Sequence, residues 1–207
     1  MFDETQSPDL PVQEDDPICP GPEGIDAERD AGNAAAAGSG IHTEFPCDSQ
    51  NYRKGRTQAI TYLVVHYVGA TGSARENAVY FHTHHAASLN SSAHFFVGHA
   101  DEGGAVYQSV PLSDTAWHVG AKRYVHPTCR NANSIGVELC CHKDAQGKWY
   151  FDPQTVAAAQ ALCRDLMAKY HIPRDRVLRH YDVTGKDCPA PFVADPKAWQ
   201  DFLAALG

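Results

Sequence analysis

Ile60-Thr61-Tyr62-Leu63-Val64-Val65-His66-Tyr67 decides how the rest of this chain is read. The run is almost continuously apolar and rich in β-branched residues, as expected for a strand covered on both faces. It ends on a histidine, which is where a sheet presents chemistry. The segments around it alternate irregularly between helix and strand. Ala74–Ser88 reads as a helix, with Ala78, Phe81, His82 and His85 at three- and four-residue spacing. Ala93–Val97 and Ala105–Val110 read as a hairpin around Asp101-Glu102-Gly103-Gly104, and Ser134–Cys141 as another strand. Asp152-Pro153 places an acceptor at the N-cap and proline at the first helical position, opening a helix to about Tyr170. Val177–His180 is a short strand. Asp195-Pro196 starts a last helix through Leu206, with Trp199, Phe202, Leu203 and Leu206 as its apolar stripe. The expected fold is α/β, a single domain with a central mixed sheet flanked by helices.

A second stretch carries chemistry. His180-Tyr181-Asp182-Val183-Thr184-Gly185-Lys186-Asp187-Cys188-Pro189 sets an imidazole and a thiol eight positions apart, with Gly185 and Pro189 able to bend the loop between them. Together with the strand-end His66 this makes three metal donors, and three protein ligands plus an open position is the pattern of a catalytic zinc site.

The chain has 207 residues and a formal net charge of −8, unevenly distributed. Residues 1–55 hold 12 acids and 3 bases; the remaining 13 acids and 14 bases nearly cancel. Residues 1–40 are rich in Pro, Gly, Asp, Glu and Ala and end in the linker-like Asn33–Gly40, so an acidic, disordered segment is expected before a catalytic domain over 41–207. No dense basic stripe points to nucleic acid. No run approaches the roughly 18 apolar residues of a membrane span, and Met1-Phe2-Asp3-Glu4-Thr5 lacks the basic start of a secretory signal. Synthesis in the cytoplasm is therefore expected, and any target outside the cell would be reached by release or another route. The seven cysteines are an odd number; with Cys188 as a ligand, Cys19, Cys47, Cys129, Cys140, Cys141 and Cys163 are expected mostly as buried, unbridged residues. Cys140-Cys141-His142 and the helix histidines His82, His84 and His85 look metal-like but read as packing or surface residues.

Five motifs in order, Val64-Val65-His66-Tyr67, Ser92-Ala93-His94-Phe95-Phe96-Val97, Trp117-His118-Val119-Gly120, Asn133 to Leu139, and Arg179 to Pro189, resemble the zinc-dependent N-acetylmuramoyl-L-alanine amidases of type 2, the phage-lysozyme and peptidoglycan-recognition-protein family. The resemblance covers roughly residues 50–206. It implies one Zn2+ per chain held by His66, His180 and Cys188, and hydrolysis of the amide between N-acetylmuramic acid and L-alanine in peptidoglycan or muropeptides. It implies Glu138, alone among the apolar residues of its strand, as general base, and Lys186 as the group that steadies the oxyanion. His94 and His118 are expected to line the groove and contact substrate. One branch carries a catalytic tyrosine just before the histidine of Tyr-His-Phe; Ala93 stands there in this chain, which puts the weight of base catalysis on Glu138. A monomer is expected. Two alternatives share the fold: a module that binds peptidoglycan without cutting it, which usually lacks the thiolate ligand, and a cytoplasmic amidase that recycles soluble muropeptides.

Overall fold

The computed structural model describes residues 40–84 and 90–207. The acidic front segment, Cys19 and the far end of the first predicted helix, including His85, lie outside the described residues. Ten strands occur among those described: β1 Ile41–His42, β2 Tyr52–Arg53, β3 Tyr62–Tyr67, β4 Phe95–Val97, β5 Val106–Gln108, β6 Thr115–Ala116, β7 Ser134–Leu139, β8 His142–Lys143, β9 Trp149–Tyr150 and β10 Val177–Arg179. The helices are α1 Ala74–Thr83, α2 Pro153–Tyr170, α3 His180–Thr184, α4 Ala190–Ala194 and α5 Pro196–Ala204. Six strands form one sheet in the order β1-β5-β4-β7-β3-β10, while β2 pairs with β6 and β8 with β9. Only β4 and β5 run antiparallel within the large sheet; its other neighbours are parallel. The mixed α/β sheet and the β4–β5 hairpin thus agree with the sequence reading.

The central pair β3 and β7 divides its side chains by strict alternation. Leu63 and Val65 of β3 and Ile135, Val137 and Leu139 of β7 face a core completed by Leu162, Cys163 and Leu166 of α2 and by Trp199 and Phe202 of α5. The opposite face carries Tyr62, Val64 and His66 from β3, and Ser134, Gly136 and Glu138 from β7. There Val64 packs with Val119, Cys129 and Val183. Every residue of β7 is buried, so a strand apolar on one face carries three polar or small positions into the interior on the other. Helix caps set the element ends. Ser73 and Glu76 form a reciprocal capping box on α1, and Asp195 accepts from Ala198 N–H at 3.0 Å on α5.

Two local readings change. His180 is the first residue of α3, not the last of a strand, because the Asp182 carboxylate accepts the Arg179 backbone N–H at 2.8 Å and caps a helix there. Asp152 does occupy the N-cap of α2, but its side chain makes no cap bond. Its Oδ2 instead accepts from Ala100 N–H at 3.0 Å and meets His142 Nε2 at 2.9 Å. The described cysteines Cys47, Cys129, Cys140, Cys141, Cys163 and Cys188 are all buried and unbridged. Among the described residues no helix is long and apolar enough to cross a membrane.

Candidate metal centre

His66 is the last residue but one of β3, and its register partner in β7 is Glu138. Parallel pairing therefore sets an imidazole and a carboxylate side by side at the end of the sheet, on the same face. His180 arrives from the adjoining edge strand, since β10 pairs with β3 and leads directly into α3. Cys188 is brought back by the loop after α3. Gly185 takes φ 85°, the left-handed conformation that suits glycine at a helix end, and its N–H bonds Tyr181 O at 2.8 Å. Tyr181 N–H then bonds Cys188 O at 2.8 Å, and Cys188 N–H bonds Lys186 O at 2.7 Å. The eight-residue separation is thereby folded into contact.

The donor atoms of His66, His180 and Cys188 all lie within 4.8 Å of one another, and all three residues are buried. His66 Nδ1 stands 3.7 Å from Cys188 Sγ and 3.8 Å from Glu138 Oε1. His180 Nδ1 and both oxygens of Glu138 are buried with no hydrogen-bond partner among the described residues. Burial pushes the pKa of His66 well below its usual value, with the neighbouring His180 and His118 adding to the effect. Burial and then the Lys186 charge take His180 down to about 3. Both rings are thus neutral, the form that binds a metal. Burial raises the Glu138 carboxyl well above its ordinary range, against the pull of Lys186. It raises the Cys188 thiol likewise, helped by Glu138. Two imidazoles and a sulfur of tetrahedral ligand type, with an unpartnered ring nitrogen and an unpartnered carboxylate beside them, fit a zinc ion.

Behind His66 runs a hydrogen-bond chain that sets its tautomer. Ser134 Oγ donates to Arg130 O at 2.7 Å, so it accepts from His118 Nε2 at 3.0 Å. His118 Nδ1 is then bare and accepts from His66 Nε2 at 3.0 Å. That leaves the His66 Nδ1 lone pair facing Cys188 and Glu138. Outer partners of this kind orient a ligand ring and hold its basicity. His118 is held in turn by Asn131, whose Oδ1 accepts the backbone N–H of His118 at 3.0 Å and of Val119 at 2.8 Å. The ring lies flat over Gly136, where a Cβ would come within 2.6 Å of His118 Cγ.

His94 and His118 were expected to meet substrate; the structure turns both inward. His94 is fully buried, accepts from Gly136 N–H at Nδ1 (3.0 Å) and has Nε2 2.7 Å from Arg56 Nη2. His118 is 2% exposed, with both nitrogens engaged. Neither has an atom left for a ligand, because the loop before β7 and the Arg56 side chain cover them. Lys186 is partly buried in the loop between His180 and Cys188, close enough to act electrostatically on Glu138 and His180. Ser134, Gly136, Asn131 and Arg56 were not singled out from sequence. Gly136 was the one with a signal, since a glycine inside an apolar strand marks a close approach.

Two histidines and a cysteine at the end of the sheet, beside a buried glutamate, form a centre that could hold a metal ion. The family model for N-acetylmuramoyl-L-alanine amidase matches residues 56–191, and the chain belongs to that family. It is 36% identical over 147 residues to the N-acetylmuramoyl-L-alanine amidase CwlL of Bacillus licheniformis, a match covering 68% of this chain and 39% of the relative. A mutant endolysin from Bacillus subtilis superposes with a TM-score of 0.63 at 29% identity, covering 81% of this chain and 99% of that one. The Escherichia coli amidase AmiD, in complex with the substrate anhydro-N-acetylmuramic acid-L-Ala-D-γ-Glu-L-Lys, gives a TM-score of 0.51 at 27% identity over 74% of this chain and 60% of AmiD. The chain thus spans about two fifths of the length of CwlL.

Proposed function

We propose that this chain is a zinc-dependent N-acetylmuramoyl-L-alanine amidase, hydrolysing the amide between the lactyl group of N-acetylmuramic acid and L-alanine. The observation that carries the reading is the meeting of His66, His180 and Cys188 beside an unpartnered buried Glu138 in a chain of this family. The muramyl-peptide complex of AmiD supports the substrate class.

His66, His180 and Cys188 hold the metal, which when bound supplies the Lewis acidity that amide hydrolysis at neutral pH requires. The Ser134–His118–His66 chain keeps the His66 Nδ1 lone pair aimed at the centre. Glu138 takes a proton from the attacking water and returns it to the departing L-alanine nitrogen. A proton affinity raised by burial suits a carboxylate to both transfers near neutrality. Lys186 sets its positive charge where the scissile carbonyl becomes an oxyanion. Residues 41–207 form the catalytic unit, and the presence of Cys188 as a third donor beside His66 and His180 argues for cutting over mere binding.

Mass spectrometry of purified peptidoglycan digested with the protein tests this. Free stem peptides beginning at L-alanine, lost on zinc chelation, are the expected products. Intact peptidoglycan together with intact soluble anhydro-muropeptides would overturn the reading and leave a binding module.

A further inference from the structure

Away from that centre, the structure assembles a second set of metal donors. His99 follows β4, His142 opens β8, and Asp152 precedes α2; their donor atoms also lie within 4.8 Å of one another. The residues are 43 and 10 positions apart in sequence, and each comes from a different element. His142 Nε2 is 2.9 Å from Asp152 Oδ2, close to the roughly 3.0–3.4 Å that separates two donors each about 2.1 Å from one ion. The His99 and His142 rings stack at 4.1 Å with 25° between their planes.

A plain His142–Asp152 ion pair accounts for two of these residues but not for His99. That side chain is 4% exposed, yet neither ring nitrogen has a hydrogen-bond partner among the described residues. A buried imidazole with both nitrogens bare forfeits water on each and regains nothing, which native proteins rarely tolerate without a ligand. Asp152 points the same way. Its carboxylate sits at the start of an 18-residue helix, where a cap bond was available, and is turned instead toward His142, steadied by Ala100 N–H.

We propose that His99, His142 and Asp152 form a second divalent-cation site, of zinc-like preference, separate from the His66–His180–Cys188 centre. Two imidazoles and one carboxylate suit a first-row ion of borderline softness and leave a position for water. The site ties three segments together: the loop after β4, the β8–β9 hairpin and the start of α2. The hairpin matters to the catalytic face, because His142 pairs with Tyr150 and Lys143 with Trp149, and Trp149 packs edge-on against Tyr67 at 5.8 Å, next in sequence to His66. An ion here clamps the hairpin whose Trp149 packs on the end of β3.

The test uses the full chain stripped of metal, dialysed against Zn2+ and analysed for zinc per chain by elemental mass spectrometry. Cys188→Ala, which removes a donor of the first centre, is expected to keep one equivalent. Cys188→Ala/His142→Ala and Cys188→Ala/His99→Gln are expected to keep none while retaining the parent circular dichroism. His142 lies on a partly exposed two-residue strand, so its loss leaves the sheet intact. In Cys188→Ala, zinc should also slow amide exchange across residues 142–150, and Co2+ should give ligand-field absorption without a thiolate charge-transfer band. A Cys188→Ala protein that binds no zinc overturns the site, as does one equivalent surviving in both double variants.

Discussion

Gly136→Ala is the sharpest probe of the hydrogen-bond chain behind the centre. The added methyl would sit 2.6 Å from His118 Cγ, 2.8 Å from Nδ1 and 3.0 Å from Cδ2. Carbon atoms rest at about 3.5 Å or more, so the imidazole must retreat by about 1 Å. Its Nδ1 now lies 3.0 Å from His66 Nε2. A retreat of that size breaks the bond and leaves two buried nitrogens unmatched. Overpacking costs about 1–3 kcal/mol and the lost buried bond about 1 kcal/mol more. The sum of roughly 2–4 kcal/mol corresponds to a fall in melting temperature on the order of 10 °C for a chain of this size. His66 would also lose the partner that fixes its tautomer, which weakens metal affinity by about 10–100-fold. Zinc affinity from competition with a chromophoric chelator, read beside thermal unfolding, measures both effects. Gly136→Ala/His118→Ala should recover stability by removing the clash while zinc affinity stays low. A Gly136→Ala protein that binds zinc as tightly as the parent would refute the proposed chain of tautomers.

Other variants separate the remaining roles. Glu138→Gln should retain zinc and lose about 10²–10⁴-fold in turnover, checked by product release from muropeptides alongside metal content. Lys186→Met should lower kcat by about 10²-fold or more with zinc retained, whereas an unchanged kcat would return Lys186 to an ordinary loop role. Burial, reinforced by Arg56, pushes the His94 pKa from 6.5 to about 3, so the folded state holds this ring neutral while the unfolded chain protonates it. Its contribution is present above pH 6.5 and lost as the pH falls toward 3, at about 1.4 kcal/mol per pH unit while the difference lasts. Urea unfolding of metal-free His94→Gln should therefore show an acid slope smaller by about one proton; equal slopes would contradict the assignment.

The face that gathers His66, His180 and Cys188 beside Glu138 was legible where chemistry follows local order. A β-branched run ending in histidine locates His66, a carboxylate in an apolar strand locates Glu138, and the His180–Cys188 loop carries its own glycine and proline. What escaped depends on contacts between distant segments. His94 and His118 sit in motifs suggestive of substrate contact, yet their direction is set by Arg56, Asn131 and Ser134, far away in sequence. His142 read as packing because its neighbours Cys140 and Cys141 do pack; its true neighbours, His99 and Asp152, carry no local pattern that joins them. The edge strand Ile41–His42 is too short for any periodicity and exists only through its pairing with Val106 and Tyr107.

The separation of the first centre along the chain bears on when it can exist. His66 and Cys188 stand 122 positions apart, so the pocket closes only once nearly all of the described chain has been made and docked. Bringing such remote ends together carries a large loop-closure entropy, which the sheet and helices must meet before any ion contributes. A metal held there would therefore be a late arrival, unable to template assembly of the sheet. Once in place it would behave as a removable crosslink between β3 and the loop that follows α3. It would hold the finished fold shut by mass action, to a degree set by the free ion around it. Resistance to unfolding and to proteases should then rise and fall with zinc supply even where no substrate is present.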